Sequence, residues 1–225
     1  MLTEDMTRMI EASESRGWVL EPDAKRLLRE AGLNVPRSVY TRDPEEAARF
    51  AEAVGFPVVA KVVSPNVLHK SDVGGVKTGI DSVAGLHAAM DRLAGLEGFE
   101  GVLVEETVQG VELIAGAKID HQFGPVILFG IGGTSVEIYQ DSVIRMAPLT
   151  ERDVASMVKG LRARPLLEGY RGSAPVRMEA LTQALLAFSG VVMDLSDRIE
   201  SIDLNPLMAS PEGCVVADAR ILLAS

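Results

Sequence analysis

Cysteine is almost absent from this sequence, because Cys214 is the only one among 225 residues. A single thiol cannot close an internal disulfide, and it leaves no Cys-x-x-Cys motif for zinc. The chain must therefore rely on its apolar core, which a fold of this length can supply. Such cysteine usage is typical of a reducing compartment, and we expect a cytoplasmic protein.

Basic residues are scarce beside acidic ones: 22 Lys and Arg stand against 32 Asp and Glu, and the net charge is −10. Aromatic residues make up only 4% of the chain. A nucleic-acid-binding protein needs a broad basic face or an aromatic stacking platform, so we expect no nucleic-acid partner. No apolar run approaches the ~18 residues of a membrane span, and we expect no membrane partner.

Several familiar catalytic motifs are also missing. The glycine run at 130–133 lacks the third glycine of a dinucleotide-binding fingerprint, and no glycine precedes a Lys-Ser or Lys-Thr pair as in a Walker A loop. The HExxH and GxSxG motifs are absent as well. These absences argue against the common dinucleotide, P-loop, zinc-protease and serine-hydrolase classes.

Helical and extended patterns are mixed along the chain. Helices are expected within 4–16, 22–31, 44–54, 82–93, 150–159 and 179–195. Strands are expected near 39–40, 57–63, 76–80, 101–106, 111–118, 126–129, 143–146, 199–204 and 215–217. The mixture predicts an α+β fold with two lobes, at about 17–104 and 105–225, after a helical N-terminal extension at 1–16.

The most suggestive polar residues lie near the C-terminus. Asp203 and Asn205 alternate along a predicted strand and so share one face, and a returning strand could bring Asp218 beside them. Such oxygen ligands, with room for water and phosphate, suit Mg²⁺. The alternative is that the strand ends in a turn here, because Pro206 has no N–H to donate to a ladder.

Lys61 and His69 are two further candidates. Lys61 interrupts the apolar run 57–63, where an unpaired buried charge would be costly. Its ammonium therefore either reaches water at a sheet edge or points into a polar site. His69 lies in a loop, 64–75, that is rich in turn formers and long enough to suggest a function or disorder. A lone loop histidine is more often a solvated side chain.

Weaker signals come from Glu105, Glu112 and Arg145. Glu105 and Glu112 lie on two strands joined by a connector around Val108, whose backbone could read an adenine edge while a carboxylate holds ribose hydroxyls. Acidic residues between strands more often simply face water. Arg145 could reach a phosphate or pair with a carboxylate.

Longer blocks of the sequence point to one family. They are GFPVVAK (55–61), SPNVLHKSDVGGV (64–76), LVE (103–105), QFGP (122–125), FGIGG (129–133), APLT (147–150), PLLEGYRG (165–172) and DLNPL (203–207). Together they resemble the ATP-grasp subunit of ADP-forming acyl-CoA synthetases, of which acetate–CoA ligase (ADP-forming) is the type. The resemblance extends over about 17–225 and implies an ATP-grasp fold, in which two α+β lobes hold the nucleotide between them.

The resemblance implies roles for the residues that would bind ATP or ADP. Lys61 would contact the nucleotide phosphates. Glu105, with the backbone near Val108, would frame the adenine, and Glu112 would hold the ribose. Arg145 stays a candidate for a phosphate contact in catalysis.

The resemblance also implies a metal ion and a covalent intermediate. Asn205 and Asp218 would ligate Mg²⁺, with Asp203 close by. The family carries a transiently phosphorylated histidine at the loop position of His69, and an imidazole nitrogen can accept and return a phosphoryl group. Lys70 would help to offset the phosphoryl charge.

The family reaction interconverts acyl-CoA, ADP and phosphate with the carboxylic acid, CoA and ATP. It also needs a CoA-binding domain and a second phosphohistidine, for which this chain has neither the fingerprint nor the length. We therefore expect the chain to be a β subunit whose partner, a separate α subunit, carries both, in an αβ or α₂β₂ assembly. The alternative is a catalytically silent, nucleotide-sensing ATP-grasp module that regulates a partner acyltransferase or ligase.

Overall fold

The structure is a computed structural model, which describes residues 3–133 and 141–224. The chain divides into two compact units. The larger unit consists of Met1–Val35 and Gln109–Ser225, and the smaller unit of Pro36–Val108. Among the described residues, no helix is long and apolar enough to cross a membrane.

Helices and strands alternate irregularly along the chain. The helices are α1 (Glu4–Glu11), α2 (Glu21–Glu30), α3 (Pro44–Val54), α4 (Val83–Ala94), α5 (Glu151–Gly160) and α6 (Met178–Asp194). The strands are β1 (Trp18–Val19), β2 (Ser38–Thr41), β3 (Val58–Val63), β4 (Val76–Ile80), β5 (Gly101–Glu106), β6 (Val111–Asp120), β7 (Gly124–Ile131), β8 (Ser142–Met146), β9 (Ile199–Ala209), β10 (Cys214–Val216) and β11 (Ala219–Leu223). The predicted α+β class is confirmed.

Local sequence signals set the starts of several helices. Asp43 caps α3 by accepting a hydrogen bond from the Glu45 N–H at 3.0 Å, and Pro44 occupies the first turn, where its missing N–H costs nothing. Thr150 and Asp153 form a reciprocal capping box at the start of α5. These ends could be read from sequence because the interactions that fix them span only a few residues.

The smaller unit is built on an antiparallel sheet in the order β2-β5-β3-β4. Its core lies between one face of this sheet and helices α3 and α4. Val58, Ala60 and Val62 of β3 are buried there against Leu86 and Leu93 of α4. Because side chains alternate along a strand, Val59 and Lys61 point to the opposite face of the sheet.

The larger unit is built on an antiparallel sheet in the order β1-β11-β9-β6-β7-β8, in which β10 also pairs with β9. Helices α1, α2, α5 and α6 contribute to its core, and we call the sheet face that carries this core the core face. Buried residues of that core include Ile10, Leu28, Ala117, Ile127, Met157, Phe188 and Ile202. We call the other face the second face.

The observed units differ from the predicted lobes. The predicted first lobe, 17–104, stops short of the smaller unit's end at Val108, because β5 continues to Glu106 between β2 and β3. Residues 17–35 belong to the larger unit instead, because β1 pairs with β11 near the other end of the chain. The predicted extension at 1–16 contains α1, which packs into the core of the larger unit.

Candidate functional site

Lys61 and Glu105 form a buried ion pair in the smaller unit. The Lys61 Nζ lies 3.0 Å from the Glu105 Oε2, and the two side chains are 7% and 2% exposed. Val59 lies opposite Glu105 in the β3–β5 ladder, so Lys61 and Glu105 are diagonal neighbours on the sheet face away from the helices. The sequence left two possibilities for Lys61, and β3 is an inner strand, so the sheet-edge alternative is wrong.

The partnership constrains the direction of both side chains. Burying an ammonium or a carboxylate by itself costs several kcal/mol, and a close counter-charge offsets part of that cost. An ammonium has three N–H donors, and the contact with Glu105 limits the directions in which Lys61 can present the others. Sequence reasoning did not assign Glu105 this positioning role, since nothing local links the two residues.

His69 is exposed and immediately precedes a short 3₁₀ helix at Lys70–Val73. The chain closes back on itself after this helix. The Gly75 N–H donates to the Lys70 carbonyl at 2.7 Å, and the Val62 N–H donates to the Gly75 carbonyl at 2.8 Å. A Cβ at Gly75 would lie 2.7 Å from the Val62 Cγ1, so glycine is required for this close approach.

The other end of the His69 loop is anchored by Ser64 and Asn66. The Ser64 Oγ donates to the Glu97 carbonyl at 2.7 Å and accepts from the Asn66 N–H at 3.0 Å. The Asn66 side chain donates to the Glu97 Oε1 at 3.2 Å. The structure therefore places His69 on an exposed segment whose two ends are held by hydrogen bonds.

Asp203, Asn205 and Asp218 are brought together in the larger unit. The Asn205 N–H donates to the Asp218 carbonyl at 3.2 Å, which places these two residues opposite each other. Asp203 shares their face because it lies two residues before Asn205 on the strand. Arg220 lies opposite Asp203 and donates to its Oδ2 at 3.4 Å. This is the second face of the sheet, and the three residues are neighbours on it, while their role as metal ligands stays a prediction.

The strand β9 does not end at Pro206, so the turn alternative for this segment is wrong. β9 continues to Ala209, and its pairing with β6 shifts where Asn205 and Pro206 together face Ile114. This is a β-bulge, which tolerates a proline without an N–H and redirects the side chains next to it. The bulge includes Asn205, one of the candidate metal ligands.

The chemistry of this group fits Mg²⁺. Two carboxylates and an amide oxygen are hard ligands, and Mg²⁺ is commonly held by one or two carboxylates together with water and nucleotide phosphates. Across 3–133 and 141–224, no group of three or more His, Cys, Asp or Glu is arranged to hold a metal ion. An all-protein cage is thus not found in the described chain, and a site completed by phosphate fits the residues present.

Glu112 and Val108 lie where the sequence pattern put them, on β6 and on the β5–β6 connector. The Gly132 N–H donates to the Glu112 carbonyl at 2.7 Å. A Cβ at Gly133 would lie only 2.7 Å from the Glu112 Oε2, so the glycine leaves room for this carboxylate. Beside Val108, the Thr107 Oγ1 donates to the Pro57 carbonyl at 2.7 Å and fixes the start of the connector.

Arg145 and the candidate metal ligands Asp203 and Asp218 start from opposite faces of the sheet. It pairs with Ile127, which is buried in the core, so its side chain starts on the core face. Its guanidinium donates to the Ser156 Oγ of α5 at 2.9 Å. By alternation, Ile144 and Met146 lie on the second face, where they are 56% and 61% exposed.

Known proteins resemble this chain in sequence over most of its length. A family model described as an ATP-grasp domain matches residues 11–223. The acetate–CoA ligase (ADP-forming) I subunit beta of Pyrococcus furiosus is 37% identical over 213 residues, which cover 91% of each chain. The acetate–CoA ligase (ADP-forming) I of Archaeoglobus fulgidus is 41% identical over 217 residues, and the match covers 93% of this chain but 32% of that protein.

A solved structure gives a similar result. It is that of the dinucleotide-forming acetyl-coenzyme A synthetase 1 of Ca. Korarchaeum cryptofilum, with a TM-score of 0.84 and 39% identity over 97% of this chain and 100% of that chain. That protein is in complex with coenzyme A and Mg-AMPPCP, and its phosphohistidine segment points towards the nucleotide-binding site.

Proposed function

This chain belongs to the ATP-grasp family, among the β subunits of ADP-forming acetate–CoA ligases, and from that premise we propose that it exchanges a phosphoryl group between Mg-ATP and His69. It would be the nucleotide-handling subunit of an acid–CoA ligase. The observation that carries this proposal is the exposed His69 on a segment held at both ends, with Lys70 next to it.

In the proposed step, a ring nitrogen of His69 attacks the γ-phosphorus of ATP with its lone pair. The bond between this phosphorus and the bridging oxygen breaks, ADP leaves with that electron pair, and a nitrogen–phosphorus bond forms. The reverse transfer returns the phosphoryl group to ADP. Lys70 contributes positive charge beside the transferred group.

We assign the other nucleotide contacts as the family resemblance implies, with one change at Glu105. Lys61, directed by Glu105, contacts the phosphates, and this gives Glu105 a positioning role in place of a direct adenine contact. The backbone near Val108 frames the adenine, and Glu112 holds the ribose. Arg145 stays a candidate for a phosphate contact in catalysis, and its guanidinium donates to Ser156 on the core face.

Asn205 and Asp218 would hold Mg²⁺, with Asp203 close by. A bound Mg²⁺ supplies positive charge that screens the phosphates and stabilises the charge of the transfer. Of the chain's own residues, the β9 bulge orients Asn205, the ladder places Asp218 opposite it, and Arg220 restrains the Asp203 carboxylate.

The reaction implies a partner. The P. furiosus relative, which this chain matches over 91% of that protein's length, is named as a subunit beta, and this implies a separate α subunit. We propose that the α subunit carries the CoA-binding domain and the second phosphohistidine, and that the assembly is α₂β₂. The nucleotide-sensing alternative is not favoured, because the relatives are named as ligases and the loop and metal residues are all present.

Labelling with [γ-³²P]ATP and Mg²⁺ tests the function. The chain alone is expected to take up phosphate that is stable to base and released by acid, as a phosphoramidate is. His69→Ala should abolish this label, whereas His121→Ala, a change of an exposed histidine in the turn between β6 and β7, should retain it. Undiminished labelling of His69→Ala would refute the phosphohistidine assignment.

A further inference from the structure

Glu21 and Lys25 form a second buried ion pair, on α2 of the larger unit. The Lys25 Nζ lies 3.0 Å from the Glu21 Oε1, and the side chains are 2% and 4% exposed for Lys25 and Glu21. The same Nζ donates to the Ala217 carbonyl at 2.7 Å. Ala217 directly precedes Asp218, so an N-terminal helix is bonded to the short connector that carries a candidate metal ligand.

The connector between β10 and β11 is also held from the β9 side. The Ala217 N–H donates to the Pro206 carbonyl at 3.0 Å, and the Asp218 carbonyl accepts from the Asn205 N–H at 3.2 Å. Ala217 thus has its N–H bonded to β9 and its carbonyl bonded to α2. This arrangement fixes the peptide unit from which Asp218 continues.

The loop after α2 holds the preceding strand in the same way. The Val216 N–H donates to the Asn34 carbonyl at 2.8 Å, and the Asn34 side chain donates to the Cys214 carbonyl at 3.4 Å. The segment from β10 to the connector is therefore bonded to α2 and its following loop at Cys214, Val216 and Ala217. The Lys25 contact is the last of this series before Asp218.

Packing alone does not explain a charged pair at this position. A buried ion pair is often no more stabilising than apolar residues of similar volume, and α2 also buries the apolar side chains of Leu27 and Leu28. An apolar side chain in place of Lys25 could fill the space, but it could not donate a directional hydrogen bond to the Ala217 carbonyl. The charge of Glu21 in turn offsets the cost of burying the Lys25 ammonium.

We propose that Lys25 is a positioning residue for the metal ligand Asp218, and that Glu21 holds Lys25 in place. This inference rests on the proposed metal role of Asp218. Groups that orient metal ligands without touching the ion commonly change metal affinity by about 10–100-fold when they are removed. The expected consequence is a selective loss of metal affinity.

The test compares Lys25→Met, Glu21→Gln and Asp218→Asn in the full chain. Mn²⁺ serves as the probe for Mg²⁺, and its binding is titrated by electron paramagnetic resonance in the presence of saturating AMPPCP. Calorimetry with EDTA present measures the affinity for metal-free ATP. Lys25→Met is expected to weaken Mn²⁺ binding about 10-fold and to leave metal-free ATP binding unchanged, with a smaller effect in the same direction for Glu21→Gln.

Leu28→Ala is the matched control, because Leu28 is buried on the same helix, one turn after Lys25, and its side chain has neither a charge nor a hydrogen-bonding group. It should lower the Tm without weakening Mn²⁺ binding. If Lys25→Met and Glu21→Gln lower the Tm and still bind Mn²⁺ like the parent, while Asp218→Asn does not, the positioning inference is overturned and the metal site stands. Unchanged Mn²⁺ binding in Asp218→Asn would overturn the metal role itself. Should Lys25→Met fail to fold, Glu21→Gln decides.

Discussion

Both units of this protein bury a lysine–glutamate pair, but they do so in different ways. In the smaller unit, Lys61 and Glu105 are diagonal neighbours on two strands, and Lys61 is the proposed phosphate contact. In the larger unit, Glu21 and Lys25 lie one turn apart on a helix, and Lys25 acts through the backbone of another segment. The ammonium-to-carboxylate distance is 3.0 Å in both pairs, so geometry within a pair does not reveal its role.

The difference lies in what surrounds each pair. Lys61 interrupts an apolar strand, where burying a charge is costly unless the charge is paired. Glu21 and Lys25 have the i, i+4 spacing that usually marks a solvent-exposed helix pair. A buried pair on a strand can therefore be recognised from its apolar neighbours in sequence. A buried pair on a helix cannot, because its i, i+4 spacing is also that of an exposed pair.

The largest expected effect is that of Lys61→Met. Urea unfolding should give a free energy of unfolding lower by about 3–5 kcal/mol, because Glu105 stays buried after losing its Lys61 partner. Phosphate labelling of His69 should fall by about 100-fold or more, because a phosphate contact is lost.

The double variant Lys61→Met with Glu105→Gln separates these two effects. It should recover much of the lost stability, because the buried carboxylate is gone, but none of the labelling. If labelling recovered together with stability, Lys61 would have a structural role only and would make no phosphate contact.

A smaller effect is expected from alanine at two glycines, one in each unit. Gly75→Ala should lower the free energy of unfolding by about 1–3 kcal/mol, because its Cβ would lie 2.7 Å from the Val62 Cγ1 and 2.9 Å from the Lys70 carbonyl oxygen. Gly190→Ala, within α6, meets no atom within 4 Å and should instead stabilise the chain by about 0.5–1 kcal/mol. Denaturant titration of both variants measures the contrast, and equal shifts of the same sign would contradict it.

The smallest expected signal concerns Cys214 in the larger unit. Burial raises the pKa of the Cys214 thiol to about 12, so the thiol stays protonated at pH 8 and does not act as a nucleophile. A thiol reagent should label the native chain very slowly and the urea-unfolded chain at once. Rapid stoichiometric labelling of the native chain would show that β10 is not packed as described. Because the chain has a single cysteine, this readout reports on the larger unit alone.

Much of the fold was predictable, because its signals are local. The observed bounds of α3 and β5, Pro44–Val54 and Gly101–Glu106, agree with the sequence patterns. The division into units was not predictable, because it depends on the pairing of β1 with β11, two strands at nearly opposite ends of the chain. No local preference specifies a partner at that distance.

The candidate site was predictable in the same uneven way. Strand alternation and a returning strand were enough to group Asp203, Asn205 and Asp218. The bulge at Pro206 was missed, because a proline in an extended segment also fits a turn. The role of Arg145 stays a prediction, and strand alternation alone could not tell whether Arg145 or its neighbours Ile144 and Met146 face the helices.

By itself, the amino-acid sequence determined most of the secondary-structure elements and the family, because periodicity, capping and motifs are properties of short segments. Only the tertiary structure decided that Glu105 holds Lys61, that Arg145 turns to α5, and that Lys25 reaches a carbonyl 192 residues further along. The physical reason is that burial and hydrogen-bond partners are set by segments that meet only after folding. An identical pair of charges is therefore worth little in water and can direct a site when it is enclosed.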